Sequence, residues 1–89
     1  MKLKIFWKKD CPNCPGAKKY GNILKDKLEV QYCNIDTVDG LSEACMFNVM
    51  STPSIILIDK DNNEIQAWRG EIPKIENIKG KISEYCEKD

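Results

Sequence analysis

The first residues alternate Lys2-Leu3-Lys4-Ile5 and then turn fully apolar at Phe6-Trp7, the pattern of a strand entering a core. From Gly16 onward, Ala17, Tyr20, Ile23, Leu24 and Leu28 recur at helical spacing, while Lys18, Lys19, Lys25 and Lys27 fall mostly off that face. This spacing predicts a helix from about residue 13 to 27. Glu29 to Ile35, with Val30, Tyr32, Cys33 and Ile35, predicts a second strand. Asp36, Thr37 and Asp39 offer N-caps for a short helix carrying Leu41, Ala44, Cys45 and Phe47, and Asn48 suits a left-handed stop. Ser54 to Asp59 is continuously apolar up to its last residue, so it is read as a central strand covered on both faces. Asp61-Asn62-Asn63 marks a hairpin turn, and Glu64-Ile65-Gln66-Ala67-Trp68 alternates like an edge strand. Gly70 breaks that strand. Pro73 is expected to open a last helix with Ile75, Ile78, Ile82 and Tyr85 facing inward; Gly80 weakens it by about 1 kcal/mol relative to alanine.

The resulting order is βαβαββα. The first two strands are separated by a helix and need a right-handed parallel crossover, while the last two form an antiparallel hairpin. A four-stranded mixed sheet with helices on both faces is the economical solution. At 89 residues the chain is read as one domain, 1–89.

Composition narrows the function. Lysine plus arginine equals aspartate plus glutamate at 14 each, so no global field directs the chain to nucleic acid or to an anionic membrane. The longest apolar run, Ile55–Ile58, is too short to span a bilayer. A strand pattern starts within two residues of Met1 and leaves no room for a signal segment, so a cytoplasmic monomer is expected. The chain has no histidine, hence no imidazole base and no histidine metal ligand. Its five cysteines are an odd number at a density below that of stapled secreted folds.

Two of those cysteines form Cys11-Pro12-Asn13-Cys14 at the strand-to-helix junction. A CxxC pair so placed is the redox form of the motif. The thiolate is the attacking species. Free N–H groups at the amino end of the helix favour an anion at Cys11, as do Lys8 and Lys9 before it and Lys18 and Lys19 one turn after Cys14, although Asp10 opposes them. Cys11 is therefore read as the nucleophile, with a lowered pKa, and Cys14, one turn deeper, as the resolving thiol. Pro15 would forfeit an early helical bond if the helix began at Cys11, which moves the regular start toward Asn13. The competing reading is half of a zinc site. It needs two further ligands, and only Cys33, Cys45 and Cys86 remain, none of them paired at short spacing.

A second element is Ser51-Thr52-Pro53-Ser54, ahead of the central strand. A trans proline ending a loop is the plain reading. Taken with the dithiol and the element order, a cis Thr52–Pro53 bond is expected. It would expose the Thr52 backbone to an extended substrate segment, as in strand addition.

These features together resemble the thioredoxin superfamily over nearly the whole chain. Asn34-Ile35-Asp36, then Ala44 through Phe47-Asn48-Val49 to Pro53 and the strand Ser54–Ile58, run in thioredoxin's order and spacing. The resemblance implies a cis Pro53. The front end is closer to glutaredoxin: Lys8-Lys9-Asp10-Cys11-Pro12-Asn13-Cys14 is similar to its K-x-x-C-P-x-C. Glutaredoxins also carry a double glycine followed by an acid, for glutathione, where this chain has Trp68-Arg69-Gly70-Glu71-Ile72-Pro73-Lys74. That stretch resembles the W-S-G-F-R-P-D segment of NrdH-type redoxins, which serve ribonucleotide reductase. Trp68, Gly70 and Pro73 match; the other four positions do not. Thioredoxins proper carry a buried acid six residues before the first cysteine, where Ile5 stands here.

The resemblance implies a thiol–disulfide oxidoreductase that reduces protein disulfides and needs no bound cofactor. Its electrons would come from a thioredoxin-reductase-like flavoprotein. Its target would be ribonucleotide reductase or another enzyme with a catalytic disulfide. Pro12, Asn13, Thr52, Pro53, Trp68 and Gly70 are expected to meet the substrate, and Lys8 and Lys9 to tune the thiol. The alternatives are a glutathione-dependent glutaredoxin, an oxidising disulfide donor and a metal-binding module on the CxxC cysteines. Of the remaining residues, Cys33 reads as a small core residue, Cys45 as an inert buried thiol with a second redox thiol near Pro53 as the alternative, and Cys86 as incidental. Trp7 and Trp68 read mainly as packing, Met46 and Met50 as core or rim, and Lys18 and Lys19 as a solvated helix face rather than a docking patch.

Overall fold

A computed structural model describes residues 1–87, with the side chains of Cys86 and Glu87 excepted, so the reading of Cys86 lies outside the described residues. The elements follow the expected order: β1 (Lys2–Trp7), α1 (Cys14–Leu24), β2 (Glu29–Asn34), α2 (Val38–Met46), β3 (Ser54–Ile58), β4 (Glu64–Trp68) and α3 (Ile75–Glu87). They build one four-stranded sheet ordered β2-β1-β3-β4. β1 and β2 are parallel, and β3 is antiparallel to both β1 and β4.

Side-chain alternation divides the core between the two faces of this sheet. Leu3 and Ile5 of β1 join Ile55 and Leu57 of β3 under α1 and α3, with Ala17, Leu24, Ile78 and Ile82 above them. Phe6 joins Ile56 and Ile58 on the other face, under Ala44 and Phe47 of α2. β3 is buried along its whole length, as its unbroken apolar run requires. A bulge lies in the β3–β4 ladder, where Ile58 pairs with Glu64 and Leu57 with Gln66. The unpaired Ile65 thereby packs on the same core as Trp68, which strict alternation would forbid.

The helix boundaries refine the expectations. α1 begins at Cys14, which puts Pro15 at its second position, where a missing N–H costs no helical bond. It ends at Leu24, three residues earlier than the spacing predicts. Exposed Lys25, Asp26 and Lys27 offer nothing to bury, and Lys27 N–H closes a turn on Leu24 O at 2.9 Å. Gly21 lets α1 approach the sheet, since a Cβ there would lie 2.9 Å from Ile5 Cδ1 and against the Tyr32 ring.

α2 is capped at both ends. Thr37 Oγ1 accepts from Gly40 N–H at 3.0 Å. At the other end Asn48 is left-handed at φ 56°, with Val49 N–H on Ala44 O at 2.8 Å and Asn48 N–H on Cys45 O at 3.3 Å, a Schellman stop. α2 turns only Ala44 of its expected inward residues to the core, with Phe47 following at its C-cap; Leu41 and Cys45 face outward. α3 starts at Ile75, so Pro73 is buried two residues ahead of the helix rather than inside it. In the β3–β4 turn, Asp59 Oδ1 accepts from the Asp61 and Asn63 N–H groups at 2.8 and 2.9 Å, and these backbone bonds hold its carboxyl below the usual range. No helix among the described residues is long and apolar enough to cross a membrane.

Candidate active site

Strand register brings four loops to one end of the sheet. Phe6 pairs with Ser54 and Ile55 with Trp68. One residue further along, Pro53 falls between Trp7, which leads to the Cys11 loop, and Gly70. The fourth loop is tied in by Lys9 N–H, which donates to Asp36 Oδ2 at 3.1 Å.

Cys11 and Cys14 are joined as a disulfide, with 5.4 Å between their Cα atoms. Asp10 is left-handed at φ 62°, a conformation aspartate tolerates better than most residues, and it turns the chain into Cys11. Cys14 N–H donates to Cys11 O at 3.3 Å. Cys11 is 8% exposed and Cys14 3%, so the first cysteine is the more accessible of the two. Because α1 starts at Cys14, Cys11 stands one turn ahead of the helix rather than in its first turn. The helix therefore supplies less of the expected field at that sulfur.

Pro12 and Asn13 are exposed between the sulfurs, and Asn13 is the N-cap without a side-chain bond. Lys8 and Lys9 are exposed. The Thr52–Pro53 peptide bond is cis. Pro53 is buried, and the buried Thr52 Oγ1 meets no hydrogen-bond partner among the described residues.

Gly70 is left-handed at φ 71°, and a Cβ there would lie 2.6 Å from Ser51 Oγ. Its N–H donates to Ser54 Oγ at 3.0 Å, and that hydroxyl donates to Ser51 O at 2.7 Å. Ser54 is fully buried, so one hydroxyl clamps the loop before β3 to the loop after β4. Arg69 adds a second clamp: its Nη2 donates to Phe47 O at 2.8 Å and also pairs with the Glu64 carboxylate. Sequence reasoning missed Ser51, Ser54 and Arg69. The available signal for Ser54 was a hydroxyl at the head of a wholly apolar strand.

Trp68 does not line the groove. It sits among Ile55, Leu57 and Ile78, and its open edge meets a hollow bordered by Glu76 and Gly80 of α3. Cys33 is buried as expected, and burial pushes its thiol pKa up. Cys45 is exposed, as are Met46 and Met50 (92% for the latter), so none of the three is core. Lys18 also leaves its expected place: its ammonium lies 3.3 Å from the centroid of the Trp7 ring. Among the described residues, no three Cys, Asp or Glu side chains are grouped so as to hold a metal ion.

No family model matches the chain. It is 30% identical over 61 residues to a thioredoxin of Methanocaldococcus jannaschii, a match spanning 64% of this chain and 69% of that protein. It is 32% identical over 60 residues to a probable thioredoxin of Archaeoglobus fulgidus, spanning 65% and 66%. Among solved structures, thioredoxin 1 of Thermosipho africanus superposes with a TM-score of 0.79 at 22% identity, covering 98% of this chain and 96% of that one. Oxidised thioredoxin O2 of Arabidopsis thaliana gives 0.75 at 15% identity, covering 93% and 72%.

Proposed function

We propose, for a chain that belongs to the thioredoxin family and so is a thiol–disulfide oxidoreductase, that it reduces protein disulfides with Cys11 attacking and Cys14 resolving. The observation that carries this reading is the unequal burial of two bonded cysteines at the head of α1. The Cys11 thiolate attacks one sulfur of a partner disulfide and expels the other as a thiolate. Cys14, deprotonated, then attacks the Cys11 sulfur and releases the second partner thiolate. Two electrons pass to the partner, and the Cys11–Cys14 disulfide is left. Ile5 and its neighbours on that core face are apolar, so the Cys14 proton goes to solvent or to the departing partner thiolate.

Recharging by a thioredoxin-reductase-like flavoprotein, in the cytoplasm, is supported by kinship with thioredoxins over a chain lacking the double glycine of glutaredoxins. For the target, we favour an enzyme with a catalytic disulfide, ribonucleotide reductase being the first to test. The residues behind that resemblance each have a structural use here: Trp68 in the core, Gly70 at a positive φ, Pro73 buried. They therefore support the shape of the loop more than the identity of the partner.

The test is partner capture from lysate with Cys14→Ser, which should hold mixed disulfides through Cys11, while Cys11→Ser holds none. Trapping by the Cys11 variant alone would reverse the roles. Turnover of the wild type with glutathione and glutathione reductase, but not with thioredoxin reductase, would refute the electron source. Stoichiometric zinc that blocks alkylation would favour the metal-binding alternative.

A further inference from the structure

Helical spacing assigns Lys18 to a solvated face, yet it is half-buried, with its ammonium 3.3 Å from the Trp7 ring centroid, while neighbouring Lys19 is exposed. This lies well inside the roughly 6 Å reach of a cation–π contact. Both partners border the dithiol. Trp7 closes β1 ahead of the loop that carries Cys11. Lys18 follows Cys14 by one turn on the same face of α1. Residues four apart are neighbours on a helix surface, and the contact with Trp7 holds this ammonium at the strand end from which the Cys11 loop departs.

The other charged groups at this end of the sheet are differently placed. Lys8, Lys9 and Asp10 are exposed on the first loop, as are Glu71 and Lys74 on the last. Asp36 is occupied by the Lys9 backbone N–H, and Arg69 is engaged with Glu64 and Phe47 O. Among the described residues, Lys18 is the cation here that is held in place with no carboxylate to neutralise it.

We propose that Lys18, clamped on Trp7, is a positioning residue of the exchange reaction: it holds a fixed positive charge beside the Cys11–Cys14 pair and stabilises the thiolate of the reduced protein. The helix start at Cys14 makes such a charge useful, because it leaves Cys11 outside the first turn. The inference rests on Cys11 being the attacking sulfur.

The experiment follows iodoacetamide alkylation of the fully reduced protein against pH, with the modified cysteine identified by mass spectrometry, in the wild type, Lys18→Met, Lys18→Arg and Trp7→Leu. A nearby unit charge screened almost as strongly as in water moves a thiolate pKa by about half a unit. Lys18→Met should therefore shift the Cys11 profile upward by about half a unit and slow alkylation near pH 6 by about threefold, with the high-pH plateau within about twofold of the wild type. One molar salt should shrink the difference, Lys18→Arg should restore the wild-type profile, and Trp7→Leu should show part of the shift. A Lys18→Met profile that superimposes on the wild type overturns the inference. So does a Lys18→Arg profile that matches Lys18→Met, since the effect would then be one of packing. Should Trp7→Leu not fold, the two Lys18 variants decide alone. Wild-type modification at Cys14 ahead of Cys11 would defeat the nucleophile assignment and this inference with it. Modification at Cys11 with an unshifted variant profile defeats the inference alone.

Discussion

Lys4 offers a test of how the face opposite α1 is held. It is 4% exposed in the middle of β1, with its ammonium 2.7 Å from Gln31 Oε1 and 2.9 Å from Glu43 Oε2. The Phe47 ring centroid is 5.7 Å away. The two charges are unequally buried: the lysine side chain is 5% exposed and the glutamate 30%. Removing either partner should therefore have unequal effects. Glu43→Ala leaves an ammonium in the core with one amide oxygen for company. Stranding a fully buried charge costs about 3–5 kcal/mol; with Gln31 still accepting and some water admitted, about 2–3 kcal/mol is expected. Lys4→Met keeps the volume and strands the buried Glu43 Oε2, but the partly exposed glutamate side chain can rotate that oxygen to solvent, so about 1 kcal/mol or less is expected. The double variant should resemble Lys4→Met alone. Urea denaturation of the oxidised proteins, followed by tryptophan fluorescence, reads these differences. A domain of this size has a total stability of roughly 4–13 kcal/mol, so the glutamate variant should lose a visible share of it. Lys4→Met as damaging as Glu43→Ala would refute the reasoning, because the asymmetry follows from burial alone.

Three further outcomes are expected. Ser54→Ala deletes two hydrogen bonds worth about 0.5–1.5 kcal/mol each, so the melting temperature should fall by at least about 4 °C; an unchanged melt would mean that the clamp between the Pro53 and Gly70 loops carries no weight. In the folded oxidised protein, Cys45 should alkylate readily at pH 8 and Cys33 only on unfolding, and equal rates would contradict the burial difference. Burial raises the Cys33 thiol pKa first, Glu43 adds to the rise, and Lys4 and Lys2 oppose it. The neutral thiol is thus favoured in the folded state. Its contribution to stability is complete below the unfolded thiol pKa, about 8.5, and is lost as pH rises through the folded value. The urea midpoint of the wild type should accordingly fall faster than that of Cys33→Ala above pH 9.

Periodicity made the sheet legible because one strand is apolar throughout and the others alternate. Ile55–Ile58 could only be central and Glu64–Trp68 half-covered, whereas β1 alternates in sequence yet is buried on both faces, because Lys4 is held by Gln31 and Glu43. Caps made α2 legible at both ends, since Thr37 and Asn48 act within a few residues of their own positions. The dithiol was legible for the same reason. What failed was the choice between two apolar surfaces. Leu41 and Cys45 have the spacing of a buried stripe, yet α2 is short and satisfies the sheet with Ala44 and the Phe47 ring beyond its end. Trp68 packs as expected but does not also reach the groove: β4 turns its ring to the α3 core through pairing with Ile55, while the loop beyond it turns to the site.

The contacts that shape the site were out of reach of any local pattern, because each joins positions far apart in the chain. Ser54 answers an N–H sixteen residues away, Arg69 a carbonyl twenty-two away, and Asp36 an N–H twenty-seven away. All three satisfy backbone groups that would otherwise be left open at the sheet end where the loops leave the ladder. A short polar side chain in one loop is the cheapest way to close a carbonyl or N–H in the next, and its residue type alone does not say which loop it will meet. Lys18 belongs to the same class. Its sequence neighbours are a buried alanine and a solvated lysine, and only the fold puts the Trp7 ring under it. The chemistry of the sulfurs is thus written in four consecutive residues, while the setting in which they react is drawn from every loop at that end of the sheet.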